Sequence, residues 1–194
     1  MDDHFFSRKM ARWVSILAHP FVMTGIMVAG SALHRGTIRD AASALLLVGL
    51  ATIFPIAILM IRQVRRGDWD NVDASNRAER PILFVVGILA LAVLLTYELV
   101  FRPGSFLIRG VVIVMIMLAF CAIVTRWIKV SLHMAFGALC AATLLLIGSP
   151  AGWAVLVVLP LLAWSRLVLS RHTVDEVASG TVIGAVAAWV IVRL

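Results

Sequence analysis

Ser165-Arg166, five further residues and His172, followed by Asp175 and Glu176, form the densest group of reactive side chains in this sequence. Asp175 and Glu176 stand three and four residues after His172. On a helix both spacings share a face, so either carboxylate can hold one ring nitrogen and leave the other free. A histidine oriented in this way is a nucleophile or a general base. A second polar segment, Lys129-Val130-Ser131-Leu132-His133, supplies another histidine, able to protonate a leaving oxygen. A third, Asp73-Ala74-Ser75-Asn76-Arg77-Ala78-Glu79-Arg80-Pro81, adds two arginines. The planar arginine fork matches phosphate oxygens and keeps its charge under partial burial. Two histidines, a carboxylate and several cations point to phosphoryl transfer or phosphate-ester hydrolysis, with no metal and no other cofactor required.

The elements that must position these segments are apolar helices. The chain has 194 residues, 62% of them hydrophobic and only 14% charged, with a mean hydropathy of +1.05. Soluble domains average about 45–50% apolar and about 25% charged residues. Hydrocarbon offers no partners for backbone groups, so only helices or a closed barrel cross it. Barrel strands would alternate apolar with polar residues; these runs are apolar on every face. The sequence therefore predicts an all-α, polytopic transmembrane helix bundle of six or seven spans, forming a single membrane domain over residues 1–194. Spans are expected at roughly 13–33, 41–61, 81–101, 108–124, 132–147, 153–169 and 174–192. Pro20, Pro55 and Pro160 fall inside these stretches, where neighbouring helices can absorb the freed carbonyls.

With seven spans, the three polar segments follow the second, fourth and sixth, and all emerge at one face of the membrane. Of the 17 lysines and arginines, twelve lie on that face and five on the other. This asymmetry accounts for the formal charge of +7 without a nucleic-acid partner, and the positive-inside rule turns the polar face to the cytoplasm. A bacterial inner membrane is the expected location. The N-terminus reads as the start of a first helix and not as a cleaved signal peptide.

The polar segments resemble the type 2 phosphatidic acid phosphatases, relatives of the vanadium haloperoxidases, which carry K-x6-R-P, P-S-G-H and S-R-x5-H-x3-D. Ser165-Arg166 and His172 match the third motif, with Glu176 where the family has Asp. Ser131-Leu132-His133 resembles the second, with Leu for Gly and Val130 for Pro. Arg80-Pro81 matches the end of the first, while its lysine position is occupied by Asp73, leaving Arg77 or Lys129 to replace that ligand. The resemblance covers residues 73–194, a phosphatase-like core. It implies that His172 attacks phosphorus, Glu176 (or Asp175) orients it, and His133 protonates the departing lipid alkoxide. It further implies that Arg80 and Arg166 clamp the equatorial oxygens, with Ser131 assisting. The substrate class so implied is a phosphatidate-like or polyprenyl phosphate or diphosphate. The alternative is a non-enzymatic lipid-binding or transport protein that kept a degenerate pocket.

The remaining polar residues have plainer readings. His19, before Pro20, and His34 have no partner in the sequence and read as packing or loop residues. Cys121 and Cys140 lie in apolar runs and read as helix-packing residues. The acidic trio Asp68, Asp70 and Asp73 would suit a Mg²⁺-diphosphate site, as in intramembrane prenyltransferases, but those enzymes carry two such loops. Trp13, Trp127 and Trp153 sit near span ends as interface anchors. Gly180 and Gly184 permit close helix packing, within one chain or between copies in a homo-oligomer.

Overall fold

The computed structural model describes residues 2–193, with side chains from residue 6 onward. All regular structure among the described residues is helical. In chain order the helices are α1 (Asp2–Leu17), α2 (Pro20–Arg35), α3 (Ile38–Val48) and α4 (Phe54–Arg66), with a wide π turn at Gly49–Ile53 between the last two. After a long loop and a 3₁₀ turn at Arg77–Glu79 come α5 (Arg80–Phe101), α6 (Leu107–Val124), α7 (Leu132–Leu146), α8 (Ala151–Val168) and α9 (Val174–Arg193). Five stretches are long and apolar enough to cross a membrane, six if the bent α1–α2 pair is one span. The chain is an integral membrane protein.

The first expected span is not one helix. Pro20 has no N–H to continue α1, so it opens α2 instead, and His19 becomes the cap whose Nδ1 accepts the Phe21 amide at 3.2 Å. The two helices meet at 42°. One stripe of α1 (Phe6, Met10, Trp13, Ile16) is exposed, while Ala11, Ser15 and Ala18 on the other side are buried. At the second expected span, Pro55 follows the π turn, and the Thr52 hydroxyl donates to the Val48 carbonyl at 2.7 Å.

Helix α7 is the core of the bundle. Ten of its 15 residues are buried, including Cys140, and α9, α8 and α2 all pack on it. The closest approach is to α9, where Gly180 and Gly184 lie against the α7 backbone. A Cβ at Gly184 would overlap the Ala135 carbonyl oxygen, and one at Gly180 the Ser131 carbonyl oxygen. These glycines therefore serve packing within the chain. Gly184→Ala is expected to destabilise the bundle by about 1–3 kcal/mol through overpacking. Gly110→Ala, where a Cβ meets nothing within 4 Å, should leave the unfolding temperature in detergent at or above the wild-type value.

Helices α2, α5, α7 and α9 all start at one end of the bundle, and α4, α6 and α8 finish there. Loops 67–79, 125–131 and 169–173 are consequently neighbours, although about 90 residues separate the first from the last.

Candidate active site

The loop after α4 is held against the bundle by its own side chains. Trp69 is buried with Met60 and Ala74, backed by Phe21, Ile56 and Leu83. Glu79, also buried, accepts the Asp70 amide at 3.0 Å and the Asn76 amide at 3.1 Å, closing the loop on itself. Ala74 (φ 47°) and Ser170 (φ 53°) take left-handed backbone at the two turns that flank the site. Such backbone in a residue with a Cβ is strained and must be held by surrounding contacts.

Arg80, 3% exposed at the start of α5, joins the three loops. Its Nε donates to the Ala74 carbonyl at 3.3 Å, its Nη1 to the Val130 carbonyl, and its Nη2 lies 3.4 Å from His172 Nε2. The other nitrogen of His172, Nδ1, is 2.8 Å from Glu176 Oε2. A carboxylate accepts only, so Nδ1 carries the proton and Nε2 keeps its lone pair. Glu176 is fixed in turn by a reciprocal cap on α9. Its carboxylate accepts the Thr173 amide at 3.3 Å, and its own amide donates to Thr173 Oγ1 at 3.4 Å. Lys129 Nζ approaches the same carboxylate at 3.7 Å while donating to the carbonyls of Arg171 (2.8 Å) and Ser75 (3.2 Å). Burial, chiefly, and then Arg80, Arg166 and Lys129 push the His172 imidazole down to about 2, which leaves it neutral. Burial also lowers Lys129, against the pull of Glu176.

A second group of side chains completes the site. Arg166, 1% exposed, donates from Nη1 to Ser15 Oγ at 2.6 Å and to Asp73 Oδ2 at 3.0 Å. His133 Nε2 lies 3.5 Å from the same Ser15 oxygen. The His19 ring packs edge-on to the His133 ring, centroids 5.1 Å apart. Two buried polar atoms here have no partner, Arg166 Nε and Ser131 Oγ. Unpaired buried donors and acceptors carry a desolvation penalty that an anionic ligand could relieve.

From this second group a cavity of about 580 Å³ runs through the bundle. His19, Asp73 and His133 line one end. Its walls include Val28, Leu91, Leu94 and Val114, and Arg35 and Arg109 line the other end. Arg35 closes α2, about 22 Å from Pro20 at the helical rise of about 1.5 Å per residue. His172, Arg80 and Glu176 are not part of the lining.

His172, Glu176, Arg80, Arg166, Lys129, Ser131 and His133 are thus brought together from two of the loops and the ends of α5, α7, α8 and α9 beside them. Two expected residues are not. Asp175 is exposed and turned away from His172, because the cap on α9 recruits the residue at position 176. Arg77 is exposed and donates to the carbonyls of Arg126 (3.2 Å) and Trp127 (3.1 Å). The acidic trio also disperses. Asp73 faces Arg166, whereas Asp68 and Asp70 are exposed. Asp73, His19 and His133 do bring metal-ligating atoms within 4.8 Å of one another. A cation there is disfavoured. With the Phe21 amide on Nδ1, the proton of neutral His19 sits on Nε2, and Arg166 already holds Asp73.

Sequence reasoning did not find His19, Ser15 or Glu79. His19 and Ser15 lie in the first expected span, more than a hundred residues from their partners. Only the His-Pro pair hinted at a helix break. The capping pattern Thr173-x-x-Glu176 was available to decide between the two acidic residues.

No family model, curated protein or solved structure matches this chain.

Proposed function

We propose that this protein is a lipid phosphate phosphatase of the type 2 phosphatidic acid phosphatase kind, working through a phosphohistidine without a metal ion. The observation that carries the reading is the His172 pairing, with Nδ1 donating to Glu176 and the unprotonated Nε2 facing the Arg80 guanidinium. Nε2 attacks phosphorus in line, the bond to the lipid oxygen breaks, and His133 delivers a proton to that oxygen. Water, deprotonated by His133, then cleaves the phosphorus–nitrogen bond and releases inorganic phosphate. Arg80 and Arg166 neutralise charge on the equatorial oxygens. The cavity favours a lipid ester. It reaches the His133 side, where the leaving oxygen and its tail would sit, and stops short of the nucleophile. The Lys and Arg asymmetry supports a site facing the cytoplasm.

The test is phosphate release from phosphatidate, a polyprenyl phosphate and a polyprenyl diphosphate by detergent-purified protein, with and without EDTA. Release from at least one, unchanged by EDTA, is expected; strict metal dependence would overturn the mechanism. One feature favours a second reading, a lipid carrier: the cavity is lined at both ends of the bundle, from His133 to Arg109. Saturable binding of these lipids with no turnover of any would establish that reading instead.

A further inference from the structure

We infer that His19 is a further catalytic residue, a neutral hydrogen-bond donor to the oxygen that leaves with the lipid. The inference rests on the phosphatase reading. His19 stands at the end of the cavity where that oxygen would lie, together with His133 and Asp73. Its tautomer follows from the fold. As the cap of α2, Nδ1 accepts the Phe21 amide, so the ring proton is held on Nε2. Protonating Nδ1 would set two donors against each other and break the cap. The ring therefore cannot easily become the imidazolium that proton transfer requires, and its available chemistry is donation of a hydrogen bond.

His133 is differently placed. Ser15 Oγ, which accepts from Arg166, lies 3.5 Å from His133 Nε2 and can donate to that nitrogen or accept from it, so this contact survives the gain and loss of a ring proton. The edge-on packing of the two rings brings both histidines to one position. The division of labour is consistent. His133 transfers the proton, and His19 stabilises charge on the oxygen while the bond to phosphorus breaks. No proton leaves His19 in the cycle. Asp73 lies within 4.8 Å of both histidines and is held by Arg166.

Two substitutions separate this role from the cap. His19→Asn places an amide oxygen where Nδ1 accepts and removes the distal donor. His19→Gln carries an amide N–H out to the position of Nε2 and gives up the cap. Turnover of phosphatidate, whose leaving alkoxide is a poor leaving group, is compared with that of p-nitrophenyl phosphate, whose phenolate leaves readily. His19→Asn is expected to lower kcat on phosphatidate by about 10²-fold, the scale of a lost transition-state donor. Its loss on the aryl ester should be at least about tenfold smaller, and His19→Gln should retain more phosphatidate turnover than His19→Asn. Because His19 does not titrate in the cycle, the pH profile of His19→Asn should keep the wild-type shape. Equal losses on the two esters, equal losses in the two variants, or wild-type kcat in His19→Asn would each overturn the assignment. Wild-type protein that hydrolyses neither ester nor any other lipid phosphate would overturn the phosphatase reading itself, a distinguishable result.

Discussion

On the phosphatase reading, His172→Ala is expected to lower phosphate release by more than about 10³-fold, the loss typical of a removed catalytic nucleophile. The expectation has a geometric basis. Nδ1 is engaged by Glu176 at 2.8 Å, and no other described histidine has a carboxylate on one nitrogen and an arginine facing the other. It also has an electrostatic one. Burial and the surrounding cations depress the imidazole from 6.5 to about 2, so Nε2 is unprotonated at any working pH. On the part of this residue, kcat/KM of the free enzyme should therefore show no acid limb near pH 6.5. The same shift acts on stability with a definite sign. Below about pH 6.5 the unfolded chain binds a proton that the folded chain refuses, so stability falls as the medium is acidified. His172→Ala should flatten that fall, read as the change in unfolding temperature between about pH 7 and about pH 5. Wild-type turnover in the variant would show that phosphorus is attacked by another group.

Arg80→Lys is expected to lower kcat/KM by about 10²–10³-fold, the range for losing one preorganised transition-state donor, although the charge is kept. The guanidinium uses Nε on Ala74, Nη1 on Val130 and Nη2 beside His172. An ammonium on a flexible stem cannot span these points at once. Arg80 also ties the loop after α4 to the loop before α7, so Arg80→Ala leaves two carbonyl oxygens at the buried site without their donor. Each such group costs about 1–3 kcal/mol when buried. Arg80→Lys should thus lose activity with a modest drop in unfolding temperature, and Arg80→Ala should lose both. Full turnover in Arg80→Lys would remove Arg80 from the phosphate site.

Most of the spanning helices were legible because their signal is compositional, although five or six stretches qualify where six or seven were expected and the expected span at 132–147 is the shorter apolar helix α7. A run of some twenty apolar residues has one stable form in hydrocarbon, whatever its neighbours are. The convergence of the loops at 67–79, 125–131 and 169–173 was legible for a related reason. An even number of crossings returns the chain to the same face. The His172–Glu176 pair could be read from spacing alone, since residues four apart on a helix meet. Choosing Glu176 over Asp175 needed the Thr173 cap, a local contact set by backbone geometry at the start of α9.

Other features depended on contacts between segments far apart in the chain. Pro20 could be absorbed within a helix or could start one, and only packing of α1 on α8 and of α2 on α7 selects the break that carries His19. Arg77 and Arg80 belong to the same short segment and cannot be ranked by type. Glu79 and Trp69 fold the loop so that Arg80 turns inward and Arg77 outward. Asp73 stands where a phosphate-binding lysine was expected, and the fold gives it an ion pair with Arg166 across 93 positions of chain. Composition and spacing thus determined the bundle, its polar end and the histidine–carboxylate pair, because those follow from the solvent and the helical repeat. Tertiary structure decided which cations face the site, where the cavity runs, and that His19 joins His133. Those depend on interactions between distant segments that no local pattern encodes.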